Sequence, residues 1–156
     1  MSSVYKHLDT KVIHAGEPDP RIAGAIILPI FQTAMYETAG EASYHNVRYI
    51  RLNNTPNHLA LQEKLAALEN AEAAVVTASG MAAISTTFFA LLSAGDHLLV
   101  QDCLYGGTHD LLTKDFAAFG LSYDFIDPDD PLSWKRCLRP NTKAMYVEAM
   151  SNPLLQ

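Results

Sequence analysis

The sequence has 156 residues, of which 49% are hydrophobic and 18% charged, and its formal net charge is −6. This composition indicates a globular chain that forms one domain or part of a larger protein. The acidic balance and the scattered basic residues argue against a nucleic-acid partner. No apolar run reaches membrane-spanning length, and residues 1–11 lack the apolar core of a signal peptide, so we expect no membrane contact.

The cysteines and histidines do not predict a metal site. Cys103 and Cys137 lie in unrelated contexts, which gives neither a disulfide framework nor a zinc-ligand spacing. The six histidines show no H-E-x-x-H motif and no other tight ligand spacing. We therefore expect no bound metal and a reducing, cytoplasmic setting.

Residues 1–58 lack a strong secondary-structure pattern. Glycines and prolines predict an irregular start over residues 1–24, and Pro29 breaks the apolar run 25–31, which therefore cannot be a central strand. Residues 37–57 show little periodicity. So long an opening without a strong element is unusual in a compact domain. We expect it either to wrap a partner or to form a functional loop.

A helix is predicted to begin at Pro56, because proline is favoured at the first helical position. Leucines then recur near helical spacing, with polar residues between them, at positions 59, 61, 65 and 68.

The stretch 73–84 predicts a strand, a tight turn and a helix. Residues 73–77 are apolar and β-branched, Ser79 and Gly80 form the turn, and residues 81–94 form the helix. Such a junction points unpaired backbone N–H groups and the positive end of the helix dipole at one spot, which suits a phosphate. Gly80 lets an anion approach closely, and the Ser79 hydroxyl is able to cap the helix or bind phosphate. The alternative is that Ser79 and Gly80 merely turn the chain between two buried elements.

Strands and helices alternate through the rest of the chain. Strands are predicted at residues 97–100, 121–126 and 143–148, with helices at 109–119 and 133–138. This alternation indicates an α/β fold with a mostly parallel sheet, whose ligands gather at the carboxyl ends of the strands. Those ends carry residues 79–81, Tyr105 and Asn152. No G-x-G-x-x-G or G-x-x-x-x-G-K-[ST] motif is present, so a dinucleotide or P-loop site is not favoured.

Eight short motifs in order resemble the pyridoxal-phosphate (PLP) enzymes of cysteine and methionine metabolism, such as cystathionine synthases and lyases, homocysteine-forming sulfhydrylases and methionine lyase. They are T-K-V-I-H-A-G (10–16), P-I-F-Q-T-A (29–34), Y-I-R (49–51), L-A-A-L-E (65–69), S-G-M-A-A-I (79–84), G-D-H (95–97), Y-G-G-T (105–108) and E-A-M-S-N-P (148–153). One departure is N-N-T-P-N at 53–57, where the family has a pattern like N-P-T.

The resemblance implies the large domain of a fold-type I PLP-transferase, a mostly parallel sheet with flanking helices, of which this chain holds only a part. Residues 1–58 would be an extended N-terminal arm that contacts a neighbouring subunit. Residues 59–156 would be the first part of the PLP-binding domain, with its remainder and the C-terminal domain absent. The resemblance also implies a homo-oligomer, a dimer with shared active sites that assembles into a tetramer.

The resemblance implies that the turn at Ser79, Gly80 and Met81 holds the phosphate of the cofactor. Tyr105 would stack on the pyridine ring, and its hydroxyl would share in proton transfer. The alternative for Tyr105 is a boundary tyrosine with no cofactor contact.

Three further positions take roles from the resemblance. Tyr49 and Arg51 would reach the phosphate bound by the neighbouring subunit, and their alternative is an ordinary loop pair. Asn152 would lie near the phenolic oxygen of the cofactor, with Glu148 supporting it from behind. The alternative for Glu148 is a plain carboxylate at the end of a strand.

The resemblance also shows what this chain lacks. The family places its Schiff-base lysine, in an S-x-[ST]-K context, and the carboxylate at the pyridine nitrogen after the Asn-Pro pair, and none of the six lysines here lies in that motif. We therefore expect the amino-terminal part of an enzyme that eliminates or replaces groups on sulfur-containing or activated homoserine-type amino acids. The alternative is a non-catalytic fragment or binding module that associates with a partner.

Overall fold

The computed structural model describes residues 5–38, 40–151 and 155, and the chain divides into two compact units. Unit 1 is Met1–Val76 and unit 2 is Thr77–Gln156. The predicted division after residue 58 concerns contacts with a neighbouring subunit, so it stays a prediction.

Unit 1 is built on two helices, α1 (Leu8–His14) and α2 (Pro56–Glu69), with 3-10 turns at Ile22–Gly24, Tyr44–Asn46 and Ile50–Leu52. The prediction of an irregular start over residues 1–24 is wrong at α1. This helix makes a tertiary contact that the local pattern does not show. Lys11 is buried, and its Nζ donates a hydrogen bond to the side-chain oxygen of Asn70, the residue that follows α2.

Helix α2 begins at the predicted residue for the predicted reason. Pro56 occupies the first turn, and the Thr55 hydroxyl accepts a hydrogen bond from the backbone N–H of His58. Asn70 ends the helix in the left-handed conformation with φ 53°, which asparagine tolerates better than most residues.

Unit 2 is a three-stranded sheet flanked by helices. Its elements are α3 (Gly80–Leu91), β1 (His97–Gln101), α4 (Gly106–Asp110), β2 (Ser122–Ile126), α5 (Pro131–Cys137) and β3 (Thr142–Tyr146). The helix that starts at α4 continues through a π-helical stretch, Leu111–Asp115, and a 3-10 stretch, Phe116–Phe119. The strand order is β2-β1-β3 and both pairings are parallel, which confirms the predicted α/β fold with a parallel sheet.

The core of unit 2 lies on one face of the central strand β1. Leu98 and Val100 point to this face and are fully buried. Phe88 of α3 covers them together with Phe116, and the two rings meet edge to face with centroids 5.6 Å apart. Side chains alternate between the two faces along a strand, so His97 and Gln101, at the two ends of β1, share the opposite face.

The predicted strand over residues 73–77 is absent, since no strand lies between Asn70 and Ser79. A strand needs a neighbour to pair its backbone groups, and β-branched residues do not supply one. Here the three described strands pair only with each other, and Val75 is 73% exposed. The β propensity of this segment is therefore not sufficient to predict a strand.

The helix predicted from residue 109 begins at Gly106, so the loop after β1 is shorter than predicted. Gly106 and Gly107 are poor helix formers, and the pattern therefore placed them in the loop. Tyr105 becomes the residue that precedes this helix, which places it directly above the carboxyl edge of the sheet.

Candidate active site

The amino end of α3 presents unpaired backbone donors. Ser79 caps the helix, its hydroxyl oxygen accepting a hydrogen bond from the backbone N–H of Ala82 at 3.1 Å. The N–H groups of Gly80 and Met81 have no acceptor among the described residues. A Cβ on Gly80 would meet no atom within 4 Å, so the space beside this turn is open. The geometry suits an anion such as a phosphate group.

Tyr105 lies next to this helix end. A Cβ built on Gly107 would lie 2.6 Å from Cε1 of Tyr105 and 3.0 Å from Sδ of Met81, so both side chains close around the glycine. The Tyr105 side chain nevertheless remains 47% exposed. The structure thus brings together Met81 and Tyr105, two of the residues that the sequence predicts at this site.

Glu148 holds the main chain of Tyr105. Its carboxylate oxygens accept the backbone N–H of Tyr105 at 3.1 and 3.3 Å. The same carboxylate accepts the Tyr146 hydroxyl at 3.1 Å, and the backbone N–H of Glu148 donates to the Gln101 side chain at 3.0 Å. Glu148 therefore ties the ends of β1 and β3 to the start of α4.

The surroundings of the Tyr146 hydroxyl raise its pKa above the ordinary value. Burial raises its pKa, and the neighbouring Glu148 charge adds to the effect, while a hydrogen bond with Thr108 acts in the opposite direction. Thr108 is fully buried, and its hydroxyl lies 4.0 Å from Sδ of Met81. A partly buried polar network thus links Tyr146 and Thr108 to Glu148, which holds the main chain of Tyr105.

Sequence reasoning missed the supporting residues Gly107, Thr108 and Gln101. The signal for Gln101 is its position as a polar residue directly after the apolar run 98–100, and the structure shows that it is buried. Gly107 and Thr108 lie in the Y-G-G-T motif, but the motif alone does not show their roles, which depend on Met81 and Tyr146, residues distant in sequence.

Asn152, the remaining predicted residue of this edge, lies outside the described residues, so its predicted place beside the cofactor remains a prediction.

Tyr49 and Arg51 belong to unit 1. The Arg51 guanidinium lies over the Tyr49 ring, 4.5 Å from its centroid, and the Tyr49 N–H donates to the Asn54 side chain at 2.9 Å. Tyr49 also forms an isolated antiparallel bridge with Met35. The pair is therefore a packed unit with a fixed backbone, and its predicted role toward a neighbouring subunit stays a prediction.

Among the described residues, every helix is too short or too polar to span a bilayer. Within the same parts of the chain, the Cys, His, Asp and Glu side chains form no group of three or more that is suited to a metal ion.

Comparison with known proteins identifies the family. The sequence profile of the Cys/Met metabolism PLP-dependent enzymes matches residues 9–156. The chain belongs to this family. A solved structure, a cystathionine gamma-lyase from Lactobacillus plantarum complexed with L-serine, superposes with a TM-score of 0.86 and 33% identity. That match covers 97% of this chain and 39% of the neighbour.

Relatives within the family carry different activities. The "Probable cystathionine gamma-synthase" of Herpetosiphon aurantiacus is 44% identical over 94% of this chain and 46% of its own length. A cystathionine beta-lyase of Lactococcus lactis subsp. cremoris is 39% identical over 96% of this chain and 39% of its own length. The chain thus spans less than half of these relatives. Their names agree on the family chemistry and differ in the reaction.

The described residues fit the cofactor that defines the family. PLP has a phosphate, which suits the unpaired N–H groups of Gly80 and Met81, and a flat ring, which suits the exposed face of Tyr105. The Met81 and Tyr105 side chains both lie close to the position that a Cβ of Gly107 would occupy, so the helix end and the tyrosine ring are adjacent.

Proposed function

We propose that this chain supplies one wall of the active site of a PLP-dependent enzyme that eliminates or replaces groups on sulfur-containing or activated homoserine-type amino acids. The observation that supports the proposal is the adjacency of the α3 amino end and Tyr105 at the carboxyl edge of a parallel sheet. Ligands of α/β proteins bind at this edge. The named relatives include a synthase as well as lyases, so the proposal covers both replacement and elimination.

Bound PLP supplies an electron sink for the bonds at the α-carbon of the amino acid. The residues of this chain hold and orient it. Gly80 and Met81 donate backbone N–H groups to the phosphate, and Ser79 fixes the turn that presents them. Tyr105 stacks on the ring, and its hydroxyl moves a proton at the substrate. Asn152 is proposed to contact the phenolic oxygen. None of the six lysines of this sequence lies in the S-x-[ST]-K context that the resemblance implies for the cofactor-binding lysine.

Tyr49 and Arg51 are proposed to act in a neighbouring subunit of a dimer. A guanidinium binds two phosphate oxygens at once, and the contact with the Tyr49 ring orients it. The sites are then shared between subunits, with residues 1–58 as the connecting arm. A tetramer built from two such dimers, in the cytoplasm, is the proposed assembly.

The first experiment compares wild-type, Tyr105→Phe and Tyr105→Ala full-length enzyme. Tyr105→Ala should weaken cofactor affinity by up to about tenfold, because an aromatic stack contributes about 0.5–1.5 kcal/mol beyond burial. Tyr105→Phe keeps the ring and should retain the affinity while slowing turnover. Cofactor titration and steady-state kinetics measure both effects. Unchanged affinity in a folded Tyr105→Ala enzyme would remove Tyr105 from the cofactor site.

The second experiment tests the shared site. Full-length Arg51→Ala is mixed with a variant that lacks its cofactor-binding lysine. If each defect falls in a different composite site, mixed dimers contain one intact site and activity should return. Arg48→Ala is the control, because the Arg48 guanidinium also lies over a tyrosine ring, that of Tyr36, at 5.6 Å. Arg48→Ala should be active without mixing. Absence of recovery after verified subunit exchange contradicts the shared site.

The alternative, a non-catalytic module, predicts a different mass for the natural protein than the enzyme does. A mass near 17.1 kDa, with no cofactor absorbance, supports the module. A mass of more than about twice that value, with bound cofactor, supports the enzyme, because such an enzyme needs a Schiff-base lysine and no lysine of this sequence lies in the S-x-[ST]-K context.

A further inference from the structure

We propose that Gly107 is a positioning residue for Tyr105, because the missing side chain at residue 107 leaves the space in which the Tyr105 ring lies. A Cβ at this position would approach Cε1 of Tyr105 to 2.6 Å, far inside the optimum of about 3.5–4.0 Å for carbon atoms. It would also lie 3.0 Å from Sδ of Met81. This inference rests on the proposed role of Tyr105 at the cofactor.

Backbone conformation does not require glycine at residue 107. Gly95 and Gly120 have φ values of 95° and 71°, in the left-handed region that favours glycine, whereas Gly107 lies in the first turn of α4 without a positive φ. Glycine in a helix is less favourable than alanine. Close approach of a neighbouring group is therefore the physical reason for a glycine here.

The Tyr105 ring depends on this space because little else restrains it. Glu148 fixes its backbone N–H, but the side chain is 47% exposed. A methyl group at residue 107 would push against the ring edge on one side and against Met81 on the other. The tyrosine ring is the more exposed of these neighbours, so it turns aside. The fold of the sheet does not depend on the ring direction, whereas stacking on a flat cofactor does.

Gly106 provides a matched control. It is the adjacent residue of the same helical turn, and a Cβ there would meet no atom within 4 Å. Gly107→Ala and Gly106→Ala thus make the same chemical change one residue apart. We expect Gly107→Ala to weaken cofactor affinity of the full-length enzyme about two- to tenfold, the range of an aromatic stack. The visible circular dichroism of bound cofactor should change as well. Gly106→Ala should alter neither.

Combination with Tyr105→Ala shows whether Gly107 acts through the ring. On a Tyr105→Ala background, Gly107→Ala should cause no further loss of affinity, because the displaced ring is gone. A further loss equal to that in the wild-type background overturns the proposal, as does equal behaviour of Gly107→Ala and Gly106→Ala. If Tyr105→Ala alone leaves affinity unchanged, the proposed function of Tyr105 fails instead.

Folding of the variants gives a second criterion. If Gly107→Ala does not fold but Gly107→Ala with Tyr105→Ala does, the clash with the tyrosine ring is confirmed. If neither folds and Tyr105→Ala alone does, Gly107 is required by the fold independently of Tyr105, and the positioning role is rejected. Thermal denaturation of the four proteins distinguishes these cases.

Discussion

The two ends of strand β1 both carry a buried polar residue, and their surroundings differ. His97 at the amino end is completely buried, and Gln101 at the carboxyl end is 4% exposed. Both lie on the same face of the sheet, since they are four residues apart in a strand. At the amino end the polar groups contact one another, whereas at the carboxyl end they support an exposed aromatic ring.

At the amino end the polar groups pair with each other. His97 Nδ1 lies 2.8 Å from the Thr142 hydroxyl, and Nε2 lies 3.3 Å from an Asp124 carboxylate oxygen without hydrogen-bond geometry. Arg139 donates to the same carboxylate at 2.6 Å. The Asn141 side chain donates to the carbonyl of Gly95, in the turn that leads into β1.

At the carboxyl end the network leaves donors and a ring face available. Gln101 and Glu148 hold the backbone around Tyr105, and the N–H groups of Gly80 and Met81 remain unpaired. The reason is the direction of the chain in parallel βα units. Helices begin at the carboxyl edge, where they present N–H groups, and end at the amino edge, where they present carbonyl groups. We therefore expect substitutions at the amino and carboxyl edges of the sheet to affect different properties.

The largest expected effect is a loss of stability caused by a substitution in the middle of β1, the strand that links the two edges. Leu98→Ala should lower the free energy of unfolding of the full-length protein by about 2–5 kcal/mol, because it leaves a cavity in a fully buried site. Leu132→Ala is the control, since Leu132 is 66% exposed and should cost much less. Urea denaturation of both variants measures the difference. Equal losses would show that the core does not centre on β1.

The second expected effect distinguishes the amino edge of the sheet from its carboxyl edge. Thr142→Val keeps the shape but removes the oxygen that contacts His97 Nδ1 and accepts the backbone N–H of Arg139. It should cost about 1–3 kcal/mol of stability, as expected for buried groups left without a partner, and leave cofactor affinity unchanged. Thr113→Val, at an exposed helical threonine, should stay within about 0.5 kcal/mol of wild type. A tenfold change in cofactor affinity for Thr142→Val would contradict the separation of the edges.

The smallest effect is a pH dependence at the amino edge. Burial lowers the pKa of His97 from its ordinary value of 6.5, the Arg139 charge lowers it further, and the Asp124 carboxylate only partly opposes this. The unfolded chain therefore binds a proton at a higher pH than the folded chain. The His97 contribution to stability is fully present above pH 6.5 and is lost as the pH falls below that value.

Urea denaturation across this pH range tests the linkage. His97→Asn should reduce the slope of the unfolding free energy against pH, by an amount that corresponds to at most one bound proton. The variant should also be less stable overall. His45→Asn, at an exposed histidine of unit 1, is the control. Parallel pH profiles for wild type and His97→Asn would show that His97 does not titrate differently in the two states.

The local pattern predicted those elements whose signals lie within the element itself. Pro56 and Thr55 start α2, Ser79 caps α3, and the apolar runs give β1, β2 and β3 in a parallel sheet. The motifs of the family also placed Met81 and Tyr105 at one edge. These outcomes follow from short-range preferences and from the rule that parallel strands align their carboxyl ends.

The tertiary structure alone decided the rest. Residues 73–77 have β propensity but no described strand beside them, and α1 forms where Lys11 reaches Asn70 across the chain. The sequence singles out Glu148 as a supporting residue for Asn152, but its hydrogen bond to the backbone of Tyr105, more than forty residues away, is evident only in the structure. Pairing, burial and close approach depend on which distant residue is adjacent, and only the folded chain determines that.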